Sequence, residues 1–284
     1  MVSDRFVDPK TKIELSTDDN GDMYYLKGNQ RIKYKNYGGI YDFVSNNNLT
    51  TERAHYDSRY TKAISKHLTI KECYERWVDK TVPENAILLD SLGGLSGKKI
   101  LLLGNGTSFK ELYFLHLGAK IVYTDLSLEA VKFMKDLFSS SELKAKSENN
   151  IEFHAVDALY LPFPNASIDI IYGYAFVHHI ENLDSFFCEV NRCLKKGGIC
   201  RFLDDAYSPV WQFMKNSFLK PLQLYSHKKT GISPEDLKAT RKGGFRKDEI
   251  LKICSVVKKE LNFKKEYRAL NHLDEMVQSI KNLF

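Results

Sequence analysis

Ile100-Leu101-Leu102-Leu103-Gly104-Asn105-Gly106-Thr107-Ser108 decides how this chain is read. The apolar run over 99–103 shows little alternation, which suits a strand covered on both faces, as in a parallel sheet. It ends in G-x-G, and a helical pattern follows at 108–117. Glycine is required where a backbone turns sharply against a ligand and leaves no room for a Cβ. Asp125 closes the next strand-like run, 21 residues after Gly104. That spacing suits a carboxylate accepting hydrogen bonds from ribose hydroxyls.

Outward from the loop, strands and helices alternate. Further strands are expected at 120–124, 151–155, 168–172 and 199–203, with helices at 128–139 and 184–194. Lys195-Lys196-Gly197-Gly198 reads as a helix end, with cations toward the macrodipole and glycine at a left-handed cap. The alternation argues an α/β fold: a doubly wound, mostly parallel sheet with helices on both faces. Residues 210–225 and 247–261 read as amphipathic helices and 263–270 as a late strand.

Two cofactor classes use a strand, a glycine loop and an acid-ended second strand: dinucleotides and S-adenosylmethionine. A dinucleotide fingerprint wants a small residue at its third glycine position, for tight helix–strand packing. Phe109 stands there and argues against NAD or FAD.

The chain resembles the seven-strand, class I S-adenosylmethionine-dependent methyltransferases over about residues 96–205. The resemblance is carried by the glycine loop and by Val122-Tyr123-Thr124-Asp125-Leu126-Ser127. It extends through Phe153-His154-Ala155-Val156-Asp157-Ala158 with Leu161-Pro162-Phe163, then Ser167 to Ile171 with Phe176-Val177-His178-His179-Ile180. It closes on Glu189 to Gly198. Leu102, Ser108 and Lys196 depart from the family pattern, where an acid, a glycine and a proline are usual. The resemblance implies that Gly104, Asn105, Gly106 and Thr107 pass the methionine moiety of S-adenosyl-L-methionine. It implies that Asp125 and Leu126 meet the ribose, that Asp157 and Ala158 meet the adenine, and that Tyr174 lies near the methyl. Taken singly, Asp125 and Asp157 also read as ordinary cap or turn aspartates.

A seven-strand sheet places residues after its fourth and fifth strands at one carboxyl edge. His178, His179 and Asp204 are therefore the candidate catalytic residues, a histidine taking a proton and an aspartate orienting it. Scaffolding is the competing reading of the histidines. The acceptor is expected between the segment before the loop and the one after the fifth strand. Tyr56, Tyr60, Trp77, Asp205, Tyr207 and Trp211 are its candidate contacts. Aromatics beside cations suit a small molecule carrying phosphate; they equally suit an amphipathic lid with an aromatic core. No metal is expected.

Residues 1–48 read as a small β-rich module, rich in tyrosine and punctuated by Gly21, Gly28, Gly38 and Gly39. Phe6-Val7-Asp8-Pro9-Lys10-Thr11-Lys12 and 34–43 resemble the zinc-ribbon module that precedes some bacterial methyltransferase domains. The aligned ligand positions are Asp8, Thr11, Lys27 and Gln30, none a cysteine, so no zinc is expected. The remaining residues, 49–284, are expected to form the methyltransferase domain: a helical lid at 49–96, a cofactor-binding core at 97–205 and acceptor-side elements at 206–284.

With 284 residues, 43% hydrophobic and 27% charged, the composition is that of a globular protein. Disorder and low-complexity architectures are excluded as the main state. No apolar run reaches membrane-span length, and the charged start lacks a signal-peptide core. Five cysteines without C-x-x-C spacing suit reduced thiols and a cytoplasmic setting. Net charge is +6, with fifteen Lys and Arg against six Asp and Glu over 215–268. That stretch suits a solvated helix face or an attraction to phosphate.

The expectation is methyl transfer to an O or N of a small molecule, with a sugar or nucleotide-sugar first. Methylation of tRNA or rRNA, and a non-catalytic binding protein of the same fold, are the alternatives. Oligomeric state is not set by the sequence.

Overall fold

In the computed structural model, the run around Leu101 is the strand β5, Lys99–Leu102, and Ile100, Leu101 and Leu102 are fully buried. Burial of consecutive residues means that both faces of the strand are covered. The structure describes residues 5–44, 50–59, 67–180 and 182–204. The chain divides into a unit of 1–203 and a second of 204–284; the first is described below.

Its elements run in order. Strands β1 (Ser16–Thr17), β2 (Met23–Lys27) and β3 (Gln30–Tyr34) precede β4 (Ile40–Asp42). Helices α1 (Thr50–Arg59), α2 (Ile70–Trp77) and α3 (Pro83–Ser91) lead to β5. A 3₁₀ turn at Lys110–Leu112 and α4 (Tyr113–His116) follow, then β6 (Lys120–Asp125), α5 (Leu128–Ser139) and α6 (Lys144–Ser147). The unit continues through β7 (Ile151–Ala155), β8 (Ile168–Tyr174), α7 (Leu183–Cys193) and β9 (Leu194–Leu203).

Six strands form the main sheet in the order β4-β7-β6-β5-β8-β9, and every pairing is parallel. The doubly wound α/β architecture is as the alternation implies, with six strands of the main sheet among the described residues. The late strand expected at 263–270 lies outside them.

Side chains alternate across the sheet. Ile100, Leu102, Ile121, Tyr123, Phe153, Ile170 and Tyr172 share one core with Cys73 and Trp77 of α2, Leu88 of α3 and Val131, Met134 and Leu137 of α5. Leu101, Val122 and Ile171 turn to the other face and are equally buried. There α7 lays Phe186 against Phe202 of β9, ring centroids 5.4 Å apart.

The N-terminal segment forms the small antiparallel sheet β1-β2-β3 and then supplies β4, whose Tyr41 lies in register with His154. Phe6, Tyr41 and Phe43 pack around His154. A boundary after residue 48 therefore cuts through a packed sheet edge. Asp8 organises this segment. Its Oδ1 accepts from the Thr11 and Lys10 amides and the Thr11 hydroxyl, and its Oδ2 from the Tyr34 hydroxyl at 2.5 Å. Burial raises the Asp8 carboxyl, but these donors outweigh it and hold the group below its ordinary value.

Two expected elements differ. The helix expected over 108–117 is only the 3₁₀ turn and the single turn of α4. Lys195 to Gly198 belong to β9 instead of capping a helix. Leu194, the C-cap of α7, is already extended and pairs with Ile168, with an irregularity in the ladder between Ile168 and Ile170. The left-handed Gly197 (φ 78°) serves this irregular strand start.

Candidate cofactor site

Strands β6 and β8 flank β5 on opposite sides, so the strand order reverses at the glycine loop. In open α/β sheets the crevice at such a switch point, beyond the carboxyl ends of the strands, is where ligands bind. Gly104 and Gly106 both adopt left-handed backbone, φ 58° and 54°. A Cβ on Gly104 would lie 2.5 Å from the Phe176 ring. The absence of a side chain there thus admits the protein's own aromatic ring, where the sequence alone suggests a ligand.

Asp125, at the end of β6, ties the loop down. Its Oδ2 accepts from the Gly106 amide at 2.8 Å and its Oδ1 from the Ser127 amide at 2.9 Å. Burial pushes this carboxyl above its ordinary value, and the nearby Asp57 adds to the effect. Asp157 follows β7 and accepts from the Leu159 amide at 2.9 Å; burial raises it too. Leu126 and Ala158, beside these acids, are half-buried.

Behind the loop lies a network that no sequence signal announces. Glu111 is completely buried. Its carboxylate accepts from Ser108 Oγ (2.6 Å), Asn105 Nδ2 (3.2 Å) and Tyr172 Oη (3.2 Å) and pairs with Lys110 Nζ at 2.8 Å. Tyr123 Oη donates to the Ser108 carbonyl at 2.7 Å. The side chains of Asn105 and Ser108 thus hold the loop's shape from behind. Leu102, at the family's acid position, is fully buried in the core.

Lys110 Nζ sits 3.9 Å from the Tyr174 ring centroid. Thr107, Lys110 and Tyr174 line a cleft of about 270 Å³ together with Arg76, Asp79 and Asn85. Trp77 corrects an expectation. The sequence suggests it for the acceptor, but it is fully buried, stacks on Phe114 and donates its indole N–H to the Lys110 carbonyl at 2.7 Å. Its place on the apolar face of α2 makes it a core residue.

After β8 the chain turns through Ala175, at φ 51°, an unfavourable conformation for a residue with a Cβ. The turn delivers His178 and His179, ring centroids 4.0 Å apart. His179 Nδ1 lies 3.3 Å from the Tyr56 hydroxyl, so two of the expected site residues meet. Asp204 directly follows Leu203, the register partner of Tyr174. Tyr60, Asp205, Tyr207 and Trp211 lie outside the described residues.

Arg53, Asp57 and Glu111 are the residues that sequence reasoning missed. Charged residues on short helices carry no periodic signal, and their partners are far away in sequence. Among the described residues no group of three or more His, Cys, Asp or Glu side chains is placed to hold a metal ion. No described helix is long and apolar enough to cross a membrane.

The glycine loop, Asp125, Asp157 and Tyr174 stand at or just beyond the carboxyl ends of adjacent strands of a parallel sheet. Residues 101–202 match the family described as "Methyltransferase domain". This span runs from β5 into β9 and holds all four features. Over 114 residues the chain is 27% identical to the demethylmenaquinone methyltransferases of two Tropheryma whipplei strains, covering 39% of this chain and 44% of theirs. The chain therefore spans less than half the length of these relatives. It is also similar to the YcgJ protein of Bacillus subtilis, at 24% identity, 46% of this chain, 55% of that one and a TM-score of 0.40. An S-adenosylmethionine-dependent methyltransferase from Mesorhizobium loti gives 23% identity, 43% and 54% coverage and a TM-score of 0.38.

Proposed function

We propose that this chain is an S-adenosylmethionine-dependent methyltransferase acting on an O or N of a small molecule. The observation that carries the reading is the Asp125 carboxylate at the glycine loop, within the matched domain. Its two oxygens accept from the Gly106 and Ser127 amides, the Leu126 backbone also interacts with the group, and a carboxylate oxygen has two lone pairs to offer. The acceptor capacity that remains suits a ribose hydroxyl. Asp157, with one backbone donor on Oδ1, suits an adenine amino group. These acceptors therefore fit the cofactor.

When bound, S-adenosylmethionine supplies an activated sulfonium methyl. The chain's residues have three tasks. Gly104 to Thr107 orient the cofactor's tail, and Asp125 fixes its ribose. Tyr174 and the Phe176 turn exclude water beside the reacting atoms. His178, on the turn after β8, takes the proton of an acceptor hydroxyl at an imidazole nitrogen. Full turnover in His178→Ala would dismiss that role.

For the acceptor, sugars and nucleotide-sugars come first, because the N-terminal segment resembles the leader of methyltransferases in that setting. The name of the Tropheryma whipplei relatives, demethylmenaquinone methyltransferase, adds a quinone as a second class, in which the methyl would go to a ring carbon in place of an O or N. The test is transfer of labelled methyl from S-adenosylmethionine to nucleotide-sugars, demethylmenaquinone and bulk tRNA in parallel. Label confined to one small-molecule class identifies the acceptor. Label in tRNA alone would instead assign the basic 215–268 stretch to nucleic acid.

A further inference from the structure

Helix α1 bonds to both sides of the cofactor crevice. On one side Asp57 Oδ1 accepts from Ser127 Oγ at 2.5 Å and from the Glu129 amide at 3.3 Å. Ser127 is the residue whose amide holds Asp125 Oδ1. On the other side the Tyr56 hydroxyl meets His179 Nδ1. The ends of β6 and β8 are thus bridged by adjacent residues of one short helix. Arg53 pairs with both oxygens of Asp42 on β4, at 3.0 and 2.9 Å, and lies 3.5 Å from Asp57 Oδ2. All three α1 side chains are at least partly buried. The composition of the helix points the same way. Its sequence holds no Val, Leu, Ile or Met and so offers no aliphatic stripe, and the polar bonds of Arg53, Tyr56 and Asp57 are attachments of its described side chains.

We propose that α1 is the cover of the cofactor crevice and that Arg53, Tyr56 and Asp57 are positioning residues for it. Asp57 holds Ser127, which keeps the Asp125 carboxylate turned toward the ribose. Tyr56 fixes the His179 ring at the transfer end. Arg53 neutralises Asp57 and anchors it to the sheet through Asp42. Cofactor entry and release require these bonds to break and reform. The proposal rests on the cofactor reading above.

The test is S-adenosylhomocysteine binding by calorimetry and by stopped-flow dissociation, on the full chain, for wild type, Asp57→Ala, Asp57→Asn and Asp125→Ala. Asp57→Ala should weaken binding roughly tenfold, the worth of one hydrogen bond to a charged group, and mostly through faster dissociation. Asp57→Asn keeps an oxygen for Ser127 and should recover part of the loss, a rescue that general destabilisation would not give. Hydrogen exchange on the wild-type protein needs no variant: amides of 50–59 should slow when S-adenosylhomocysteine binds. Binding lost in Asp125→Ala, with Asp57→Ala at wild-type affinity and rate, would overturn the cover and leave the cofactor reading standing. Unchanged exchange in α1 on ligand binding would overturn the cover as well. Unaltered affinity in Asp125→Ala would instead remove the cofactor reading beneath it.

Discussion

Burial first, and then Asp57, lift the Asp125 carboxyl above the ordinary value of 3.8. The protonated form loses an acceptor for ribose hydroxyls. Affinity for S-adenosylhomocysteine should therefore fall on acidification at a higher pH than an unperturbed aspartate would give, and Asp57→Asn should move that midpoint down. Calorimetry across a pH series reads both. The sign for folding is separate. Because the folded value is raised, this group's stabilising contribution is complete below the unfolded value and is lost as pH rises through the folded one.

Gly104 is the second decisive residue. Its left-handed backbone and the Phe176 ring, 2.5 Å from where a Cβ would stand, both exclude a side chain. Gly104→Ala should lower stability by about 2–4 kcal/mol, from backbone strain and overpacking together, measured by urea unfolding. The need for glycine here was legible in the sequence, because G-x-G closing an apolar run marks a sharp turn that a Cβ would obstruct. The reason for it was not legible, because Phe176 arrives from beyond another strand. Trp77 shows the same limit: an aromatic beside cations reads alike whether it faces a ligand or the core.

At the scale of elements, β5 was found because burial on both faces leaves an unbroken apolar run, and its neighbours because short apolar segments alternate with helical patterns. Periodicity failed where a tertiary partner decides. Lys195 to Gly198 carry every local mark of a helix end, yet the pairing of Leu194 with Ile168 starts β9 there. The β-rich start holds together through a carboxylate hub. Asp8→Ala removes the acceptor of the Tyr34 hydroxyl and of the Thr11 and Lys10 amides. It should cost about 2–3 kcal/mol, because partly buried donors are left without a partner. Urea unfolding of this variant checks the figure, and an unchanged midpoint would mean that water replaces Asp8 freely.

Across the whole molecule, the order β4-β7-β6-β5-β8-β9 is what turns local pieces into a site. It sets the loop after β5 between the acid-ended strands on one side and the histidine-bearing turn on the other. The strand-helix alternation made this order legible in outline. The edge strand β4 was not legible, because its partner β7 lies more than a hundred residues away and three residues carry no pattern of their own. The acceptor-side candidates beyond Asp204 belong to a separate unit.

The central claim is that the carboxyl edge around Asp125 binds the methyl donor. Calorimetric titration with S-adenosylmethionine and S-adenosylhomocysteine, on wild type and Asp125→Ala, tests it most directly. Saturable binding of both compounds to wild type, lost in the variant while its unfolding curve stays cooperative, is the predicted result. No binding of either compound to wild type, or equal binding to both proteins, would contradict it.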